Sequence, residues 1–172
     1  FVVTGAATAV IYALSLPEAL PVGGGNICSA SPAGDTIPAL LVFDAQCRIA
    51  GPDGDRWVAL DQFFTGPGRT VLRSDELLAE IRVPPPAANT GSHFIKHSPR
   101  GAMDIATVGV ASLVSLDGRR GPCSQARIAL GAVGPTPVRA YSAEDILRGQ
   151  DINQELFGLP PTPRETDRKS VV

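Results

Sequence analysis

The sequence predicts an α+β fold, and three observations carry that expectation. Residues 93–97, 107–116 and 126–133 run at strand length with turn residues between them, which reads as a small antiparallel sheet. Residues 36–45 instead form one apolar stretch with Pro38 in its first turn, the pattern of a short buried helix. Between them, Pro84-Pro-Pro86 stops any regular element and sets residues 1–86 apart from residues 87–157.

Taken in order, residues 1–16 carry no charge, and the first basic residue is Arg48. With no positive region in front, and falling short of the roughly 20 apolar residues a spanning helix needs, the stretch reads as buried strand or helix. No membrane span is expected. Gly23, Gly24 and Gly25 should break the apolar run that follows. Residues 46–60 read as a hairpin, with Gly51-Pro-Asp-Gly-Asp55 supplying the turn. Ser74 is placed to cap a helical turn over residues 75–78, and residues 80–83 alternate as a strand. Near the other end, Ser142-Ala-Glu-Asp145 has capping-box spacing for a helix reaching about residue 149, and residues 151–156 open another.

Composition narrows the function classes. The 172 residues are 44% hydrophobic and 19% charged, enough apolar material for a packed core, so the chain is globular. A net charge of −2 without a basic cluster offers nothing to a polyanion, which argues against nucleic acid. Cys28, Cys47 and Cys123 are odd in number and widely spaced, unlike a disulfide framework, a zinc site or a cluster site. A reducing cytoplasm fits that usage. Cys28 is expected to be a buried small hydrophobe rather than a reactive thiol.

The segment richest in chemistry is Gly23-Gly-Gly-Asn-Ile-Cys-Ser-Ala-Ser-Pro-Ala-Gly-Asp35. Glycines let main-chain N–H groups approach a phosphate or a ring, because no Cβ intervenes. Ser29 and Ser31 can add hydroxyls, and Asp35 can accept from a sugar hydroxyl or cap the next helix. On spacing alone, a plain tight turn with a capping aspartate is the better reading. Other patterns carry less. His93 and His97 have the four-residue spacing of helical zinc ligands but lie on an expected strand. Gly66-Pro-Gly-Arg-Thr70 lacks the ending of a phosphate loop, and no nucleophile elbow occurs.

Further strings stand in a fixed order: Pro38-Ala-Leu-Leu-Val-Phe-Asp-Ala45, Phe63-Phe-Thr-Gly-Pro-Gly-Arg-Thr70, Glu76-Leu-Leu-Ala-Glu-Ile-Arg-Val-Pro84, Arg100-Gly-Ala-Met-Asp-Ile-Ala-Thr-Val-Gly-Val-Ala111 and Ala126-Arg-Ile-Ala-Leu-Gly-Ala-Val-Gly-Pro-Thr-Pro-Val-Arg-Ala140. With the glycine segment, they make residues 23–150 resemble the FAD-binding medium subunit of molybdenum hydroxylases, the family of carbon monoxide dehydrogenase and xanthine dehydrogenase. The resemblance implies the second half of a PCMH-like FAD-binding domain over residues 1–86, with residues 1–21 poorly matched. A small sheet-and-helix C-terminal domain of the carbon monoxide dehydrogenase flavoprotein type then covers residues 87–157.

Carried over residue by residue, the resemblance implies FAD contacts at Val22, Gly23, Gly24, Gly25, Asn26, Ser29 and Asp35, with Leu78 near the isoalloxazine ring and Lys96 close to the cofactor. Leu78 reads equally as ordinary core, and Lys96 also reads as a solvated strand lysine. Arg100, Met103 and Asp104 are expected to form a structural turn. The implied function is electron transfer through FAD, with molybdopterin on a large partner subunit and 2Fe-2S clusters on a small one. Nothing like the family's earlier Ala-Gly-Gly-Thr-Asp-Leu loop precedes Val22, which implies that this chain binds FAD weakly or not at all. Two rival readings follow. One is a docking fragment that holds no cofactor, and the other is a stand-alone flavoenzyme of the vanillyl-alcohol-oxidase-like superfamily, against which the strings at residues 100–111 and 126–140 argue. Residues 158–172 depart from the family. Asp167-Arg-Lys-Ser-Val-Val172 back-translates to a sequencing adapter, so this tail is expected to be an assembly artefact.

Overall fold

A computed structural model describes residues 2–4, 19–99 and 104–152, with side chains from residue 24 onward. Its described residues form the expected α+β architecture: two four-stranded sheets with one short helix buried between them.

The first sheet has the order β1-β6-β2-β3, where β1 is Val2–Thr4, β2 Gln46–Gly51, β3 Gly54–Ala59 and β6 Leu77–Arg82. The expected hairpin is there, closed by Pro52 and Asp53, with Gly54 supplying the positive φ of +111° that a side chain would resist. One face turns Cys47, Ile49 and Ile81 into the core. The other carries Arg48 bonded to Glu80 and Asp55, and Arg82 stacked 3.8 Å over the Trp57 ring. A helical turn over residues 75–78 does not form. Glu76 instead sends its carboxylate to Arg56 (3.0 and 2.9 Å) and to the Arg73 N–H (2.8 Å), and Leu77 and Leu78 pair with Ala50 and Ile49. Tertiary pairing thus overrides a cap signal worth about 1 kcal/mol.

Between these strands, Leu60–Gln62 makes a 3-10 turn, and β4 (Phe64–Gly66) and β5 (Arg69–Thr70) make a small ribbon. The second sheet, β10-β9-β8-β7, is antiparallel throughout, with β7 at Thr90–His97, β8 at Val108–Leu116, β9 at Cys123–Gly131 and β10 at Val138–Arg139. It lies where the sequence puts it, although β9 starts and stops earlier than residues 126–133.

Helix α1 spans Ala19–Ser29, α2 Thr36–Val42 and α3 Tyr141–Leu147. In α2 every residue from Ile37 to Val42 is buried, as a helix apolar on all sides must be. It joins the two halves of the chain. Ile37, Leu40 and Val42 share one core with Cys47, Ile49 and Ile81 of the first sheet and with Ala111, Leu113 and Ala129 of the second. Burying each such Ile or Leu stabilises by about 1.5–3 kcal/mol, so the proline run is a change of topology, not a break in the core. At the closest approach, a Cβ on Gly131 would come within 2.8 Å of Pro38 Cγ, so β9 meets α2 only because that residue has no side chain.

The capping box at Ser142 is not formed. The N-cap of α3 is Ala140, which has no side chain to cap with, and Glu144 turns inward. Asp151 and Ile152 are not helical, and the rest of that expected helix, with residues 153–172, lies outside the described residues. Among the described residues no helix is long and apolar enough to cross a membrane.

Candidate functional site

Asp35 occupies the N-cap of α2 but makes no side-chain cap bond. Its carboxylate turns across to the second sheet, where Oδ2 accepts a hydrogen bond from Lys96 Nζ at 2.7 Å. Two residues singled out separately in the sequence, 61 positions apart, thus meet in one ion pair. Lys96 is 24% exposed and Asp35 43%, so the pair is wet on one side only. On the other side Asp35 Oδ1 and the neighbouring Thr36 Oγ1 are buried without a hydrogen-bond partner. An ionised carboxylate can accept about four hydrogen bonds, and a buried acceptor left unpaired costs about 1–3 kcal/mol. A crevice lined by Ala33, Gly34, Asp35, Pro38 and Phe94 adjoins this orphaned acceptor, too narrow to hold a water. A ligand hydroxyl would satisfy the acceptor once the crevice beside it opens.

The glycine segment adopts a different conformation from the one expected. Val22, Gly23, Gly24, Gly25, Asn26 and Ser29 all lie within α1 rather than in a turn. Ile27 and Ala30, one turn apart, are 0% and 2% exposed and dock together in the core, and the Ala30 carbonyl accepts from the Gly68 N–H at 3.1 Å. That anchoring imposes helical spacing although each glycine costs about 1 kcal/mol relative to alanine. Inside a helix the main-chain N–H groups are bonded four residues back, so the cradle of free N–H donors is not formed. What remains is a bare surface. Gly25 is exposed, a Cβ built on it meets nothing within 4 Å, and Gly24 and Asn26 beside it are half-buried. Ser29 is exposed and its hydroxyl donates to the Asn26 carbonyl at 3.0 Å. Cys28, on the same helix, is exposed rather than buried.

Leu78 stands half-buried on β6 opposite Ile49 and packs on the core, so the structure groups it with the first sheet rather than with Asp35 and Lys96. His93 and His97 are both exposed on β7, and four strand steps put them about 13 Å apart, too far to share a metal. Arg100 and Met103 lie outside the described residues, while Asp104 accepts the Ile105 N–H at 3.0 Å.

At the far end of α2 is a charged cluster that the motif reading missed. Arg139 is forked onto Glu144 at 2.7 and 2.8 Å, and its Nη1 donates to the Leu41 carbonyl (3.1 Å) and to Asp44 (2.8 Å). Arg127 donates to the Val42 carbonyl at 3.1 Å and pairs with Asp44. Glu144 is 3% exposed and also accepts the Ile128 N–H at 2.8 Å. Burial alone would raise its pKa, but the Arg139 fork and that N–H outweigh it and hold the carboxyl below its ordinary value. A cavity of about 360 Å³ opens beside this cluster, lined by Arg139, Tyr141 and Arg148 among others, at the opposite end of α2 from Asp35. The sequence held one signal: α2 has no basic residue in its last turn, so the carbonyls there had to be answered from elsewhere.

Comparison with known proteins gives the family and the fold. Residues 22–86 match the family described as the FAD binding domain in molybdopterin dehydrogenase, and residues 93–158 match the CO dehydrogenase flavoprotein C-terminal domain. The putative xanthine dehydrogenase FAD-binding subunit of Escherichia coli K12 is 39% identical over 135 residues, 78% of this chain and 46% of that protein. A solved carbon monoxide dehydrogenase from Hydrogenophaga pseudoflava superposes with a TM-score of 0.73 at 37% identity, over 81% of this chain and 48% of that one. The enzyme from Oligotropha carboxidovorans gives 0.76 at 29% identity, over 88% and 54%. The chain therefore spans about half the length of the curated relatives it matches. By sequence and by fold it belongs to the flavoprotein family of molybdopterin dehydrogenases, that of the carbon monoxide and xanthine dehydrogenase FAD-binding subunits.

Proposed function

We propose that this chain is the FAD-holding part of an electron-transfer subunit in a molybdenum hydroxylase, an oxidoreductase of the reducing cytoplasm. The observation that carries the reading is the Asp35 carboxylate, pinned through one oxygen by Lys96 and left with a buried, unpartnered second oxygen. A dinucleotide supplies the matching donor, a ribose hydroxyl. The bare surface at Gly25, with Val22, Gly23 and Gly24 before it, gives a flat ligand a close approach to the main chain, and Asn26 and Ser29 follow on the same helix. Leu78 offers an apolar contact. Lys96 places a cation that favours an electron-rich ring.

When bound, the flavin supplies the redox chemistry, receiving electrons that arise at a molybdopterin centre and cross iron–sulfur clusters before reaching an acceptor. In this reading molybdopterin belongs to a large partner subunit and the 2Fe-2S clusters to a small one. Residues 1–86 form the cofactor-binding part and residues 87–157 the C-terminal domain, which contributes Lys96 to the site. No side chain needs to act as nucleophile or general base.

A second reading, a docking piece without cofactor, is favoured by the narrowness of the crevice at Asp35 and by the Ser29 hydroxyl already spent on Asn26. Purifying the chain with added FAD and recording its absorption spectrum separates the two. A yellow complex that reaches one flavin per chain at saturating FAD supports the flavin reading. A folded but colourless protein would refute the flavin reading and leave docking.

A further inference from the structure

Helix α2 is gripped at both ends by the second sheet. At its N-terminal end, Lys96 of β7 holds Asp35, and the Ala132 N–H just beyond β9 donates to the Pro32 carbonyl at 2.8 Å. At its C-terminal end, Arg127 of β9 and Arg139 of β10 donate to the Val42 and Leu41 carbonyls and converge on Asp44. These carbonyls are the negative end of the helix, and α2 supplies no cation of its own there. Arg139 is aimed by Glu144, which is fixed in turn by the Ile128 N–H. Seven helical residues make a rod of about 10 Å, and a rod buried on every side moves as a unit.

We propose that Arg127 and Arg139 are positioning residues for the Asp35–Lys96 site, acting through α2 rather than by touching the ligand. Close packing such as that of Pro38 on Gly131 limits how far Ile37–Val42 can slide, but apolar contacts have no fixed direction and define its rotation less sharply. Guanidinium donors are directional: Arg127 meets the Val42 carbonyl and Arg139, itself forked onto Glu144, meets the Leu41 carbonyl, and these two carbonyls stand about 1.5 Å apart along the helix axis. Held at Leu41, Val42 and Asp44, the helix presents Asp35 at the one place where Lys96 reaches Oδ2 while Oδ1 faces inward. Losing the grip at the C-terminal end therefore loosens the pair at the other.

The test uses the full 172-residue chain as Arg139→Gln and, because that variant removes a partner from buried Glu144, also as Asp44→Asn, which alters an exposed residue. The first readout, amide hydrogen exchange without FAD, rests on the fold alone. Both variants are expected to speed exchange about tenfold at the Ile37 and Ala132 amides, which bond to the Gly34 and Pro32 carbonyls, while the β2–β3 hairpin exchanges as before. Acceleration confined to the amides of Asp44 and Ala45, or spread over the hairpin as general destabilisation, would overturn the proposal. The second readout rests on the flavin reading. FAD affinity is expected to fall about tenfold in Asp44→Asn, and adding Lys96→Met should cost little more, because both act through one pair. Fully additive losses would overturn the proposal. A wild-type chain that takes up no FAD would sink the flavin reading and leave the exchange result to decide this one.

Discussion

Replacing Gly25 by alanine separates what α1 does for the fold from what it does for a ligand. The residue sits in the interior of a helix, exposed, and the added Cβ meets nothing within 4 Å. In such a position alanine is favoured over glycine by about 0.8–1.0 kcal/mol, since it restricts the unfolded chain and costs nothing in the folded one. For a chain of this size that raises Tm by about 2–4 °C. If a dinucleotide lies against the main chain there, the same methyl group pushes it outward. Losing about 50 Å² of close contact, at about 25 cal/mol per Å², then weakens FAD binding about tenfold. Thermal melting followed by circular dichroism gives the first quantity, and quenching of flavin fluorescence on titration gives the second. Stability should rise while affinity falls. Equal affinity in the variant and the wild type would refute the placement of the ligand, and a fall in Tm would refute the helix.

Other expectations follow from the ion pairs and thiols. Glu144→Ala strips Arg139 of its fork and leaves the Ile128 N–H unpaired; because Asp44 and the Leu41 carbonyl still hold Arg139, the loss should sit near the low end of the usual range, about 3 kcal/mol in urea unfolding. A loss below about 1 kcal/mol would mean the cluster is surface decoration. The Arg56 fork, aided by the Arg73 N–H, holds the Glu76 carboxyl at about 2, below its ordinary 4.5. Its contribution is thus complete above about pH 4.5 and lost as pH falls toward 2, so Glu76→Gln should flatten the acid limb of a stability–pH curve, and an unchanged limb would count against the pairing. With Ellman's reagent the native chain should give one thiol, Cys28, against three when unfolded, because Cys47 and Cys123 are 0% and 1% exposed and burial pushes the Cys47 pKa up to about 12. Fast reaction of two or more native thiols would contradict the packing.

Much of the fold was legible because local signals and tertiary demands agreed. The apolar run at residues 36–45 and the Gly51 to Asp55 turn each admit one conformation, and each formed. Where they disagreed, distant partners won. Ser74 and Ser142 offered caps, but Glu76 and Glu144 had arginines to meet, at Arg56 and Arg139. The glycines announced a turn, and the anchoring of Ile27 and Ala30 drew them into a helix. The site was legible only in part. Motif order pointed to Asp35 and Lys96 separately, but no spacing rule says that residues 61 apart share an ion pair, since that distance is set by how the second sheet packs on α2. The grip of Arg127 and Arg139 on that helix was hidden for the same reason.

Where a dinucleotide touches this chain can be read residue by residue by amide-detected NMR during an FAD titration. Saturable shifts should appear at Gly24, Gly25 and Asn26 and at Asp35 and Lys96. Shifts gathered instead around Tyr141 and Arg148, at the cavity on the other end of α2, or none at saturating FAD, would contradict the proposed site.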